Sequence, residues 1–174
     1  MVLRIMSRST SVAAVVLLLA VPFSVINTNA QQPSAKPAPK GGPMPARATG
    51  PFDVKLTPQD DKFEPAVGRM TIDKQFHGEL EATSKGQMIS TMGTVKGSAG
   101  YVAIEVVTGT LAGHKGTFAL QHFATMDRGT PMLQIIVVPD SGTGQLAGLT
   151  GKMNIVIAPD GKHSYDFDYT LPAE

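Results

Sequence analysis

The chain has 174 residues, no cysteine, no tryptophan, 18 glycines and a formal net charge of +1. That length suits one domain, and the missing cysteine excludes disulfides, thiolate metal sites and a thiol nucleophile. A charge so close to zero speaks against nucleic acid, whose binding needs a basic face to displace counterions.

Residues 1–30 read as a secretory signal peptide. Arg4 and Arg8 precede the unbroken apolar run Val12–Val21, Pro22 ends that run, and Thr28, Asn29 and Ala30 put small residues before a cleavage point at Gln31. A spanning helix needs about 20 apolar residues, well beyond this run. The expectation is a secreted or periplasmic protein with no integral membrane span once the signal is removed. Residues 31–50 are rich in proline, glycine and alanine and hold no Val, Ile, Leu or aromatic residue. Such a stretch cannot bury enough apolar surface to offset the entropy of ordering, so a disordered tether is expected. Its Lys36, Lys40 and Arg47 are too few and too spread for a lipid-binding cluster. Together with Arg4 and Arg8 they are all the charge of the first fifty residues, so residues 51–174, the expected domain, are net acidic.

In that domain apolar residues recur at period two, not at 3.6, which predicts strands. Phe52–Leu56 is a candidate first strand, with Thr57-Pro58 opening a loop or single helical turn. Gly68–Thr83 reads as one long strand kinked at Gly78, followed by a turn at Ser84-Lys85-Gly86 and a strand over Gln87–Val95. Tyr101–Leu111, Thr117–Met126, Met132–Val138 and Met153–Ile157 follow. The last strand is the cleanest: His163, Tyr165, Phe167, Tyr169 and Leu171 alternate with Ser164, Asp166, Asp168 and Thr170. One such face is buried and the other wet. Asp160-Gly161 supplies the turn into it. Seven or eight short strands with frequent glycines indicate an all-β sandwich or barrel. Val102-Ala103-Ile104 and Leu133–Val138 are apolar on both faces, so the outer face calls for cover by a loop or a second copy, making a homo-oligomer an expectation.

Two stretches repeat at a distance. Gly109-Thr-Leu-Ala-Gly-His-Lys-Gly-Thr-Phe118 parallels Gly144-Gln-Leu-Ala-Gly-Leu-Thr-Gly-Lys-Met153. Each joins two strands, and each Leu-Ala pair is expected to plug a barrel end. The glycines Gly142, Gly144 and Gly148 do not make a nucleotide-binding loop, because the spacing is off and no helix follows.

The segment Val138–Gly151, with its Gly-Thr-Gly turn, resembles the corresponding turn of the allene-oxide-cyclase and dirigent barrels. Arg69–Ser84, Gly97–Glu105 and Lys115–His122 resemble a bacterial family, number 3224 in the domain-of-unknown-function series, and the likeness extends over Phe52–Leu171. The resemblance implies a closed antiparallel eight-stranded barrel of allene-oxide-cyclase-like type and no established activity. The export signal and proline-rich tether depart from the family's usual short form. In allene oxide cyclase a lipid-like substrate is isomerised inside the barrel, and dirigent proteins steer radical coupling in a similar cavity. Fold does not by itself carry function across.

The polar candidates follow from the strand faces. Tyr101, Ala103, Glu105 and Val107 share one face, and Phe118, Leu120 and His122 share another. If both point inward, Glu105 and His122 meet in the interior as a pair that orders the core, anchors a ligand or transfers a proton. His77, Glu79 and Glu81 share a face that addresses either the cavity or solvent, with Glu81 at the barrel mouth. His114 and His163 are expected at the surface. Four histidines without an H-x-H pair offer no metal-ligand spacing, and no cofactor is implied. The ligand-binding candidates are therefore Tyr101, Glu105, His122, Glu81 and His77. The leading expectation is a barrel that binds a small hydrophobic or amphipathic molecule. The alternatives are an isomerase or cyclase acting on a lipid-like or phenolic compound, and a structural or interaction module without ligand.

Overall fold

The alternation of apolar and polar residues resolves into eight antiparallel strands, each pairing with the next and the last with the first, so the sheet closes on itself. The structure is a computed structural model and describes residues 45–60, 64 and 66–172. The strands are β1 (Pro45–Gln59), β2 (Gly68–Phe76), β3 (Leu80–Met92), β4 (Ala99–Leu111), β5 (His114–Asp127), β6 (Thr130–Val137), β7 (Thr150–Ile157) and β8 (His163–Thr170). Closure removes every sheet edge. A 3-10 turn over Gly144–Leu146 is the sole helical element among the described residues, none of which forms a helix long and apolar enough to cross a membrane. The signal segment expected at residues 1–30, and residues 31–44 of the expected tether, lie outside the described residues.

Four sequence expectations change. The tether was expected to run to residue 50, yet β1 begins at Pro45, and Pro45–Phe52 pairs with β8 from Thr170 to His163. Cross-strand hydrogen bonds and the burial of Ala48 in the core order a segment whose own composition would not. The same strand runs on through Thr57 and Pro58 to Gln59, so no helical turn forms there. Gly78 is not a kink in one long strand: with φ at +94° it turns β2 into β3, and Phe76 pairs with Ala82 across that hairpin. Ser84, Lys85 and Gly86 then lie inside β3, opposite Val107, Val106 and Glu105.

Gly86 has a different use from turning the chain. A Cβ there would stand 2.6 Å from the Cβ of Glu105 and 2.3 Å from the carbonyl oxygen of Ile104. The glycine lets β3 and β4 approach where Glu105 enters the interior.

Inward residues divide the barrel along its axis. One end is packed solid by Leu80, Leu111, Val107, Phe118, Phe167, Met153 and their neighbours. The connection between β6 and β7 lies across this end and buries Leu146 and Leu149. In the two repeated turns, therefore, the leucines Leu111 and Leu146 plug the barrel, whereas Ala112 and Ala147 are exposed. Ala112 instead takes the first positive-φ position (47°) of a two-residue hairpin completed by Gly113 at 89°. On the outside, Ile89, Val102, Ile104, Val106 and Phe123 form an apolar band, each about half exposed; the two-faced pattern at Val102-Ala103-Ile104 anticipates its β4 part.

Tyr165 ties the packed end together. Its hydroxyl accepts the N–H of Leu80 at 2.8 Å and stands 3.1 and 3.0 Å from the carbonyls of Thr49 and His77. One side chain from β8 thus serves backbone groups of β1, of β3 and of the β2–β3 turn. Replacing Tyr165 by Phe leaves the buried N–H of Leu80 without this acceptor. The expected cost is about 1–3 kcal/mol, read as a lowered midpoint in chemical denaturation with an unchanged slope.

Candidate functional site

Midway along the barrel the inward pattern switches from apolar to charged. Lys74 on β2, Ser84 on β3, Glu105 on β4 and His122 on β5 come from four successive strands, and all four are buried. They are not directly opposite in register: Lys74 faces Ser84, but Ser84 faces Val107, and Glu105 faces Leu120. Strand tilt brings them to one level, since barrel closure staggers neighbouring strands.

Glu105 is the hub. Its Oε1 accepts from Lys74 Nζ at 2.7 Å and from His122 Nε2 at 2.9 Å, while Oε2 accepts from Ser84 Oγ at 2.6 Å. A carboxylate can only accept, so His122 carries its proton on Nε2. Among the described residues Nδ1 has no hydrogen-bond partner. Burial alone pushes the Glu105 carboxyl upward; the hydrogen bond from His122 and the charge of Lys74 more than reverse this and hold it at about 2. Glu105 is therefore an anion at any ordinary pH. Lys74 also lies over two aromatic rings, 5.4 Å from the centroid of Phe52 and 5.6 Å from that of Phe76, so its cation is met by π faces as well as by carboxylate.

Beyond this layer the barrel is hollow. A cavity of about 320 Å³ lies between the charged layer and the open end, walled by apolar side chains including Val54, Ile72, Met88, Leu133 and Ile155. Its polar lining consists of Lys74, Tyr101, His122 and His163. Tyr101 has its ring centroid 6.5 Å from that of His122. Burial, and secondarily the negative charge of Glu105, raise its phenol above the ordinary value, so it stays a donor. Leu56 and Ile157 at the rim are 48% and 63% exposed, so the cavity communicates with solvent.

Of the five candidates named from sequence, Tyr101, Glu105 and His122 gather here. His77 and Glu81 do not. Glu81 points outward from β3 between the buried Leu80 and Ala82, and its carboxylate lies 3.4 Å from His77 on the outer surface, where Asp53 is also 3.6 Å from that imidazole. The expectation that Glu81 lines the mouth fails because Gly78 ends β2, placing Glu81 at the packed end. Glu79 accepts the backbone N–H of Thr49 at 2.8 Å and has a structural role. His163 was expected at the surface; it is half-buried at the cavity rim with its ring centroid 5.2 Å from that of Phe52. His114 is likewise half-buried.

Two residues of the site escaped sequence reasoning. Lys74 interrupts the inward series Ile72, Lys74, Phe76, a charge on an otherwise apolar face, and that interruption was the available signal. Ser84 was hidden by assigning it to a turn.

Because the Glu105 carboxyl is lower in the folded protein than its ordinary value of 4.5, its contribution to stability is complete above pH 4.5 and lost as pH falls toward about 2. Glu105→Gln is expected to flatten the decline of the melting temperature over that interval. At neutral pH it is expected to cost about 3–5 kcal/mol, since Lys74 loses its counter-charge. Replacing the pair together, as Lys74→Met with Glu105→Leu, is expected to cost less than Glu105→Gln alone. Denaturation curves of the variants from neutral to acid pH check both.

The fold is shared with a solved structure. A protein of unknown function from Shewanella oneidensis MR-1 has a crystal structure that superposes with a TM-score of 0.70 at 50% sequence identity, covering 75% of this chain and 100% of its own. No curated protein matches the sequence. The family model described as "Protein of unknown function (DUF3224)" matches residues 48–169, which hold all eight strands apart from the first residues of β1 and the last of β8. The chain belongs to the DUF3224 family, and the barrel with its charged layer is its form of that fold.

Proposed function

We propose that the protein binds one small amphipathic molecule in the open half of the barrel. The observation that carries this reading is the division of the interior: one half is filled by side chains, while the other is an apolar cavity of about 320 Å³ with polar groups at its floor. That volume falls at the lower end of the range typical of small-molecule sites. A closed barrel of eight strands has room either for its own side chains or for one small ligand, and this one does each at opposite ends. An apolar body fits against Val54, Ile72, Met88, Leu133 and Ile155, and a polar end meets Lys74, Tyr101 and His122.

A hydrophobic dye whose fluorescence rises in apolar surroundings is expected to bind with a stoichiometry near one per chain. Met88→Trp, which fills the cavity from the wall, is expected to weaken dye binding by about tenfold or more, a loss of about 1.4 kcal/mol, while a cooperative melt is retained. Dye binding that is unchanged in this variant places the dye elsewhere and removes the support for the reading.

A second reading, an isomerase, is favoured by one specific feature. The buried Glu105 orients His122 through Nε2 at 2.9 Å, and the other ring nitrogen is left to act as a base on a molecule in the same cavity. An oriented imidazole beside a fixed carboxylate is the arrangement that general-base chemistry uses. It predicts that the protein exchanges the α-protons of a cavity-bound ketone for deuterium, followed by proton NMR, and that His122→Gln stops the exchange. Equal exchange in the variant and the parent rules the reading out.

A further inference from the structure

We propose that the polar end of the bound molecule is an anion, a carboxylate turned inward toward Lys74. This rests on the cavity-binding reading above and adds the chemical class of the ligand.

The argument is an inventory of donors and acceptors. The polar side chains that line the cavity are Lys74, Tyr101, His122 and His163, and no carboxylate is among them. Glu105 is fully buried, with Oε1 shared between Lys74 and His122 and Oε2 engaged by Ser84. Its acceptor capacity faces the protein and not the cavity. Lys74 has three N–H groups, one of them spent on Glu105 at 2.7 Å. Because Lys74 Nζ and His122 Nε2 both reach the same oxygen of Glu105, the two side chains are immediate neighbours at the cavity floor. A floor that offers donors and positive charge rewards an acceptor. It rewards a charged acceptor most, since charge-assisted hydrogen bonds are about twice as strong as neutral ones. An ammonium head would face the like charge of Lys74, with no carboxylate on the cavity lining to balance it.

The test is titration calorimetry of the full chain with octanoate, octan-1-ol and octylamine at neutral pH. Octanoate is expected to bind about tenfold or more tighter than octan-1-ol. Octylamine is expected to bind more weakly than octan-1-ol. Lys74→Met, alone and combined with Glu105→Leu, is expected to shrink the preference for octanoate over octan-1-ol. Equal affinity for octanoate and octan-1-ol overturns the anionic head while leaving the cavity reading standing. A preference for octanoate that survives in both variants overturns the role given to Lys74. No heat with any of the three overturns the cavity reading and this one with it.

Discussion

A fully buried carboxylate organises this barrel. Glu105 could not remain ionised in the interior alone, because removing a charge from water costs several kcal/mol after all relaxation. It is tolerated because three donors from three other strands converge on its two oxygens. That demand fixes the relative level of β2, β3, β4 and β5, since a shift of one residue in any of them would turn its polar side chain to the outer face. It also accounts for Gly86, whose missing side chain is the space Glu105 occupies.

The charged layer separates two kinds of interior. On one side, leucines and aromatic rings fill the barrel, and the long β6–β7 connection closes its end with Leu146 and Leu149. On the other, side chains of similar apolar character line a wall without meeting in the middle. The packed half gives the fold its rigidity, and the polar layer rests on it as a floor. A site built on strands and braced from beneath in this way holds its geometry more closely than one carried on loops. Lys74 belongs to both halves: its ammonium lies over the rings of Phe52 and Phe76, and its side chain lines the cavity.

Much of the fold was legible because period-two alternation is a strong signal wherever one face is buried. β4, β5, β6, β7 and β8 follow the expected strands to within a few residues. The errors fell where local chemistry points one way and tertiary contacts another. Ser84-Lys85-Gly86 has the composition of a turn, yet its glycine serves a close approach between strands. Gly78 was read as a kink, yet its positive φ makes a hairpin. Because the chain turns at Gly78, Glu81 stands on the outer wall and not at the mouth, and Ser84 faces the interior. Pro45–Gly50 looks unable to order itself, and does so because β8 provides a partner for its backbone.

The amino-acid sequence by itself determined the class of fold and the alternation of faces along most strands, and it put Glu105 and His122 together on the condition that both faces point inward, because these follow from a two-residue period and from short connections between neighbouring strands. It also carried the family resemblance. Only the tertiary structure decided that Lys74 and Ser84 complete the cluster, that His77 and Glu81 stand apart from it, and that one half of the interior is filled while the other is open. Those outcomes depend on the stagger between strands and on how far side chains reach across the barrel. Both are properties of closure, to which every strand contributes and which no single stretch of sequence records.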